Sequence, residues 1–249
     1  MGTVIAPLRK IRFAVLLAIL LFASVSCVRS NSEEVVFKKK VNVLLFVPFS
    51  YDYGNPDKIS YEKASQEQKE GMDKASAELI KFSEEFPGSP FADDAQYLAL
   101  IYRGIHRKVG DCAESIKMLE DMIKRYPGSK LEESTLKHLE TLLKPAGGPL
   151  PDFYLSYDLK LKLLKGEQAV LGDKNCREGL KYYLEFIDNT DAHDARTRQL
   201  SSFAYAMAAN CYKRLNMREE GEALKNKRIS FFPEQKEAIE KSWAMPLPE

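Results

Sequence analysis

From about residue 60 the apolar positions recur at steps of three and four, the spacing of helices that bury one face. Met72, Ala75, Leu79, Phe82 and Phe86 mark the first such face, which Pro87-Gly88-Ser89-Pro90 brings to a stop. A second helix is predicted over 91–108, ending at Gly110-Asp111. A third, 113–126, carries Ile116, Leu119 and Ile123 on one side and stops at Pro127-Gly128-Ser129; a fourth covers 131–144. The proline- and glycine-rich stretch 145–151 is the clearest break in the chain. Beyond it the pattern predicts helices at 152–171, 175–188, 194–215, 218–231 and 234–244. Almost no segment alternates as a strand does, so the body is expected to be all-α.

The first residues follow a different pattern. Arg9, Lys10 and Arg12 precede a nearly unbroken apolar run from 13 to 25. A bilayer span needs roughly 20 apolar residues, so this run reads as a signal peptide. The segment Ala23-Ser24-Val25-Ser26-Cys27 resembles the bacterial lipobox, with Ser26 before the cysteine and Ser24 where the pattern has leucine. The resemblance implies cleavage after residue 26 and acylation of Cys27, anchoring the protein as a palmitate-bearing lipoprotein. Val28 stands where an aspartate marks inner-membrane retention in enteric bacteria, which points to the periplasmic face of the outer membrane. Residues 27–57 then read as a lipid-anchored, extended tether. They carry Lys38-Lys39-Lys40 and an apolar run, 41–49, too short to span. The expected organisation is a leader over 1–26, the tether, one helical half over 58–145 and another over 152–244.

Two stretches are similar at an offset of 40 residues: Phe82-Ser-Glu-Glu-Phe86-Pro87-Gly88-Ser89 and Met122-Ile-Lys-Arg-Tyr126-Pro127-Gly128-Ser129. Arg228-Ile-Ser-Phe-Phe232-Pro233 echoes them later. Repeats of this length built from helix pairs form solenoids, because a single pair cannot bury its own apolar face. With Ala99 and Tyr102 in one helix, Ile116 and Leu119 in the next and Pro127 at its end, the chain resembles the tetratricopeptide-repeat family. The run 204–215 fits as well, with Ala209 in the small position and Tyr212 as the aromatic; Arg103 and Ser115 depart from the pattern. The segment 86–102 is similar to bacterial envelope members, among them the lipoprotein family of the outer-membrane β-barrel assembly machine. The fold implied is a tetratricopeptide-like solenoid of helical hairpins behind the signal peptide and tether.

Charge adds little: the formal net charge is +1, or about −2 without the leader's three cations, so no global field favours nucleic acid. Three cysteines remain beside Cys27, an odd number for an oxidising compartment. Cys176 and Cys211 are the candidate disulfide, and a lone thiol is expected to be buried as a small apolar residue.

No nucleophile elbow, zinc helix, P-loop or dinucleotide fingerprint is present, and His106, His138 and His193 lack ligand spacing. The pairs Asp93-Asp94 and Glu132-Glu133 fall in first turns, where carboxylates favour the helix dipole. Neither an enzyme, a cofactor nor a metal is expected. In the implied repeat register, Tyr97, Leu100, Arg107 and Lys108 line a groove, as do Phe203, Asn210, Lys213 and Arg214. Aromatics beside cations suit an acidic segment or a terminal carboxylate. The function expected is a membrane-anchored adaptor for protein–protein interactions in the bacterial envelope, within outer-membrane protein assembly. The alternative is a periplasmic binding module for a peptide or cell-wall fragment.

Overall fold

The computed structural model describes residues 32–42, 66–105, 110, 112–144 and 151–245. Cys27, Arg107, Lys108, His106 and the break at 145–150 lie outside the described residues. Among the described residues the chain is all-helical, with no strand and only an isolated bridge between Lys130 and Ser156. No described helix is long and apolar enough to cross a membrane.

Residues 32–42, expected within an extended tether, instead form a helix, α1. Glu33, Phe37 and Val41 recur every four residues and are all buried, so α1 presents one closed face. Phe37 stacks on Phe91 at 5.2 Å between centroids and meets Phe82 at 5.5 Å. Lys40 pairs with Glu78 at 2.6 Å, so one of the three lysines serves docking.

The remaining helices are α2 (Gln66–Glu85), α3 (Ala92–Ile105), α4 (Ala113–Arg125), α5 (Glu133–Leu143), α6 (Tyr157–Glu167), α7 (Cys176–Asp188), α8 (Arg198–Arg214), α9 (Arg218–Phe231) and α10 (Lys236–Ala244). The apolar faces read from the sequence are the buried ones: Ala75, Leu79 and Phe82 on α2, and Leu119 on α4 with Ile116 and Ile123 half-buried beside it. The helix expected over 152–171 is divided. A 3-10 turn, Pro151–Tyr154, precedes α6, and a π-helical turn, Gln168–Gly172, follows it. Ser156 begins α6 as its cap, accepting from the Leu159 N–H at 3.4 Å.

The helices pack as pairs: α2 on α3, α3 on α4, α4 on α6, α6 on α7, α7 on α8, α8 on α9 and α9 on α10. Helix α5 sits aside from this succession, held against α3 and α1. Asp94 of α3 accepts from Thr135 and from the Glu132 N–H at 3.1 Å, and His138 meets Asn42 of α1 at 3.0 Å. Asp94 thus satisfies the backbone N–H at the N-cap position of α5, where Glu132 itself makes no side-chain cap bond. Its role is not confined to its own helix dipole, as its first-turn position had implied.

The three echoed segments end their helices in the same way. Phe86, Tyr126 and Phe232 each donate a backbone N–H to the carbonyl four residues earlier, at 2.9, 2.8 and 2.9 Å. Each also accepts, three residues on, from Ser89, Ser129 and Gln235 at 2.9, 3.3 and 3.0 Å. Tyr126 and Phe232 share one backbone conformation, φ/ψ −131/66 and −127/60.

The apolar interior divides into two clusters, but not at the break around 145–151. The first extends from Phe37 through Leu143 and takes in Phe153, Tyr157 and Leu164 from beyond it. The second, Leu155 to Phe232, shares α6 through Leu163. Helix α6 therefore has a face in each cluster, and the expected halves are joined by a common helix. The π-helical turn tightens this seam: Gln168 accepts from the Cys112 N–H at 2.6 Å and Glu167 from the Gly110 N–H at 3.1 Å. Gly110 has φ +83, and a Cβ there would lie 2.7 Å from the Gly172 nitrogen, so both the conformation and the close approach call for glycine.

Candidate functional site

Helix α8 contains the run 204–209, whose Ala204, Ala208 and Ala209 are buried and let neighbouring helices approach closely. Its N-terminal end is tied to the end of α9. Arg198 donates to the Phe231 carbonyl at 2.8 Å, pairs with Glu234 at 2.9 Å and lies 4.7 Å over the Phe232 ring. Ser202 donates to Gln235 at 2.8 Å and accepts from Arg228 Nε at 3.1 Å. At the other end, Lys213 donates to the carbonyls of Trp243 and Met245, both at 2.8 Å. Helix α10 is thus fastened to α8 at both of its ends.

Gly221 on α9 makes room for Trp243: a Cβ there would lie 2.8 Å from the indole Cη2 and 3.2 Å from Tyr212 Cβ. Lys213 and Lys225 flank the indole at 5.2 and 5.7 Å. Between α8, α9 and α10 this leaves a shallow cleft with an enclosed volume of about 20 Å³, lined in part by Ala206, Ala209 and Ile239. Asn210, Lys225, Arg228, Ser242 and Trp243 complete the lining. Burial lowers the pKa of Arg228 from the ordinary arginine value.

The predicted groove residues separate in the structure. Tyr97 and Leu100 do not face a groove; both are buried in the first cluster. Tyr97 packs on Tyr157 at 4.6 Å and donates to the Asp152 carbonyl at 2.9 Å, because a large aromatic mid-helix fills the space between α3 and α6. Phe203 is half-buried, edge-on to Tyr183 at 6.1 Å. Asn210 lines the cleft, Lys213 borders it through Trp243, and Arg214 is exposed. Arg228, Lys225 and Trp243 escaped the sequence reading. The Arg228 segment reads there only as the repeat's echo, and nothing along the chain announces that α10 folds back onto α8.

Cys176 and Cys211 are neighbours, as a disulfide between them would require, yet both are thiols in this structure. Burial, and then the adjacent Cys176 thiol, raise the Cys211 pKa well above the ordinary thiol range. Cys112 is buried at the start of α4. Among the described residues no group of three metal-ligating side chains converges. His193 is exposed beside Phe231, and His138 is held below the ordinary histidine value by burial and then by Lys38.

No family model matches this chain, and neither the curated proteins nor the solved structures yield a match.

Proposed function

We propose that this protein is a non-enzymatic, lipid-anchored adaptor of the bacterial cell envelope, a tetratricopeptide-like helical array that holds other envelope proteins at the outer membrane. The observation that carries the reading is the common ending of α2, α4 and α9. Three segments alike in sequence close their helices with the same pair of backbone hydrogen bonds. A motif with both a sequence and a geometry in common is what a tandem helical array is built from. Lipid attachment at Cys27 would place that array at a membrane surface, where several acyl chains on one cysteine give stable anchoring. Assembly of outer-membrane proteins is the process it fits best, through the likeness of segment 86–102 to lipoproteins of that machinery.

The test is metabolic labelling with palmitate in cells making the full chain or Cys27→Ser, followed by crosslinking and identification of captured proteins. The expected result is label in the wild type alone, with an integral outer-membrane protein captured. Absence of label, or a Cys27→Ser chain that stays membrane-bound in the same way, removes the anchor. The cleft between α8, α9 and α10 favours a second reading, a periplasmic module for a diffusible ligand.

A further inference from the structure

Helix packing alone does not account for the polar lining of the α8–α9–α10 cleft. Arg228 is half-buried, and its Nε and Nη2 donate to the neutral oxygens of Ser202, at 3.1 and 3.0 Å, and Gln235, at 3.4 Å. Its Nη1 makes none of these bonds, and among the described residues no carboxylate stands within ion-pair distance of the guanidinium. A cation drawn out of water ordinarily has an anion beside it, because neutral acceptors replace only part of its lost hydration. A second cation, Lys225, lines the same cleft; it reaches Glu222 at 3.9 Å and its side chain is only 15% exposed.

The rest of the lining narrows the ligand. Asn210 and Ser242 bring an amide and a hydroxyl, while Ile239 and Trp243 offer apolar surface. The enclosed volume is only about 20 Å³, room for a water-sized group, and the rest of the cleft is open to solvent. Such a shallow cleft takes a small ligand from its open side rather than a folded segment.

We infer that this cleft binds a small organic anion, a carboxylate on a short apolar stem. The head lies between Arg228 and Lys225, where Nη1, the guanidinium nitrogen outside the Ser202 and Gln235 bonds, donates to a carboxylate oxygen and the Lys225 ammonium adds a second positive charge. The stem rests against Ile239 and Trp243. Such a site is independent of the adaptor reading, since it requires no docked protein.

Trp243 is the chain's single tryptophan, so its fluorescence reports on the cleft directly. Butyrate, butyramide and inorganic phosphate are each titrated against the whole protein. Butyrate is expected to give a saturable change with a dissociation constant on the order of 1 mM, and butyramide and phosphate none. Arg228→Gln should weaken butyrate binding at least about tenfold. That variant also loses the Ser202 and Gln235 bonds, so Ser242→Asp is the companion. It leaves those bonds intact and sets a competing carboxylate in the cleft, with an equal loss expected at unchanged melting temperature. No saturable response to butyrate, an equal response to butyramide, saturation by phosphate alone, or wild-type binding by Ser242→Asp each overturns the inference.

Discussion

Around α3, α5 and α6 the interior holds Asp94, Thr135, Asp152 and Lys160, all buried, whereas around α8 and α9 it holds alanines, aromatic rings and thiols. In the first region a polar side chain has a specific polar partner from another element. Asp94 bonds across to Thr135 and Glu132, Tyr157 donates to Asp93 at 3.3 Å, and Lys160 pairs with Asp152. Those pairings fix which surface α5 and the 3-10 turn must meet, since any other docking would leave a buried charge or hydrogen-bonding group unsatisfied. The second region is closed by shape: small residues bring helices together and Tyr205, Phe231 and Phe232 fill what remains, with centroids 5.8 to 6.5 Å apart. Beside the buried hydroxyls of Thr197, Ser201 and Ser202, its charged groups gather where α10 folds back and the cleft opens. One region uses buried polarity to specify docking; the other keeps its cations where a ligand can reach them.

The largest effect that could break this contrast belongs to the buried ion pair. Lys160→Met should destabilise the protein by about 3–5 kcal/mol in urea denaturation, because the Asp152 carboxylate loses its buried cation. Replacing both partners, Lys160→Met with Asp152→Leu, should restore most of that. A single-variant loss under about 1 kcal/mol would make the pair incidental to the fold.

Asp94 tests the same contrast through pH. Burial pushes its pKa from 3.8 up to about 8, against the opposing hydrogen bond from Thr135. The native state therefore keeps this proton to higher pH than the unfolded chain does. The resulting stability is complete below about pH 4 and is lost as pH rises through about 8. Melting temperature followed from pH 5 to pH 9 should fall in the wild type by the equivalent of more than about 2 kcal/mol. The fall should be much shallower in Asp94→Asn. Parallel profiles would show that Asp94 is ionised in the fold.

The smallest effect is expected in the second region. Ser201 is fully buried on α8, and its hydroxyl has no hydrogen-bond partner among the described residues. Ser201→Ala should leave stability unchanged or raise it by up to about 1 kcal/mol, measured by thermal melting. Thr135→Ala, its counterpart in the first region, should instead lower stability, because it takes a donor from Asp94.

Much of the helical layout was legible in advance because turn chemistry punctuates the pattern. Helix α9 begins and ends where expected, at Arg218 and Phe231, since Asn216 takes a positive φ before it and Phe232-Pro233 closes it. Helix α1 was hidden because three lysines interrupt its short apolar stripe, and only the contact of Phe37 with Phe82 and Phe91 reveals the stripe's purpose. The predicted groove was less legible. Tyr97 and Lys213 have the composition of a recognition surface, but a residue's type does not say which side of its helix another element will cover. One is sealed against Tyr157; the other is engaged with the end of α10.

The amino-acid order alone determined most of the helices after residue 66, most of their stops and the echo at 86, 126 and 232, because periodicity, proline and glycine act through neighbouring residues. The tertiary structure decided what depends on distant partners: that α6 serves both apolar clusters, that Asp94 caps a helix 38 residues further on, and that α10 returns to make a cleft around Arg228. Those outcomes are set by desolvation and close packing between segments remote in sequence, which local patterns cannot encode.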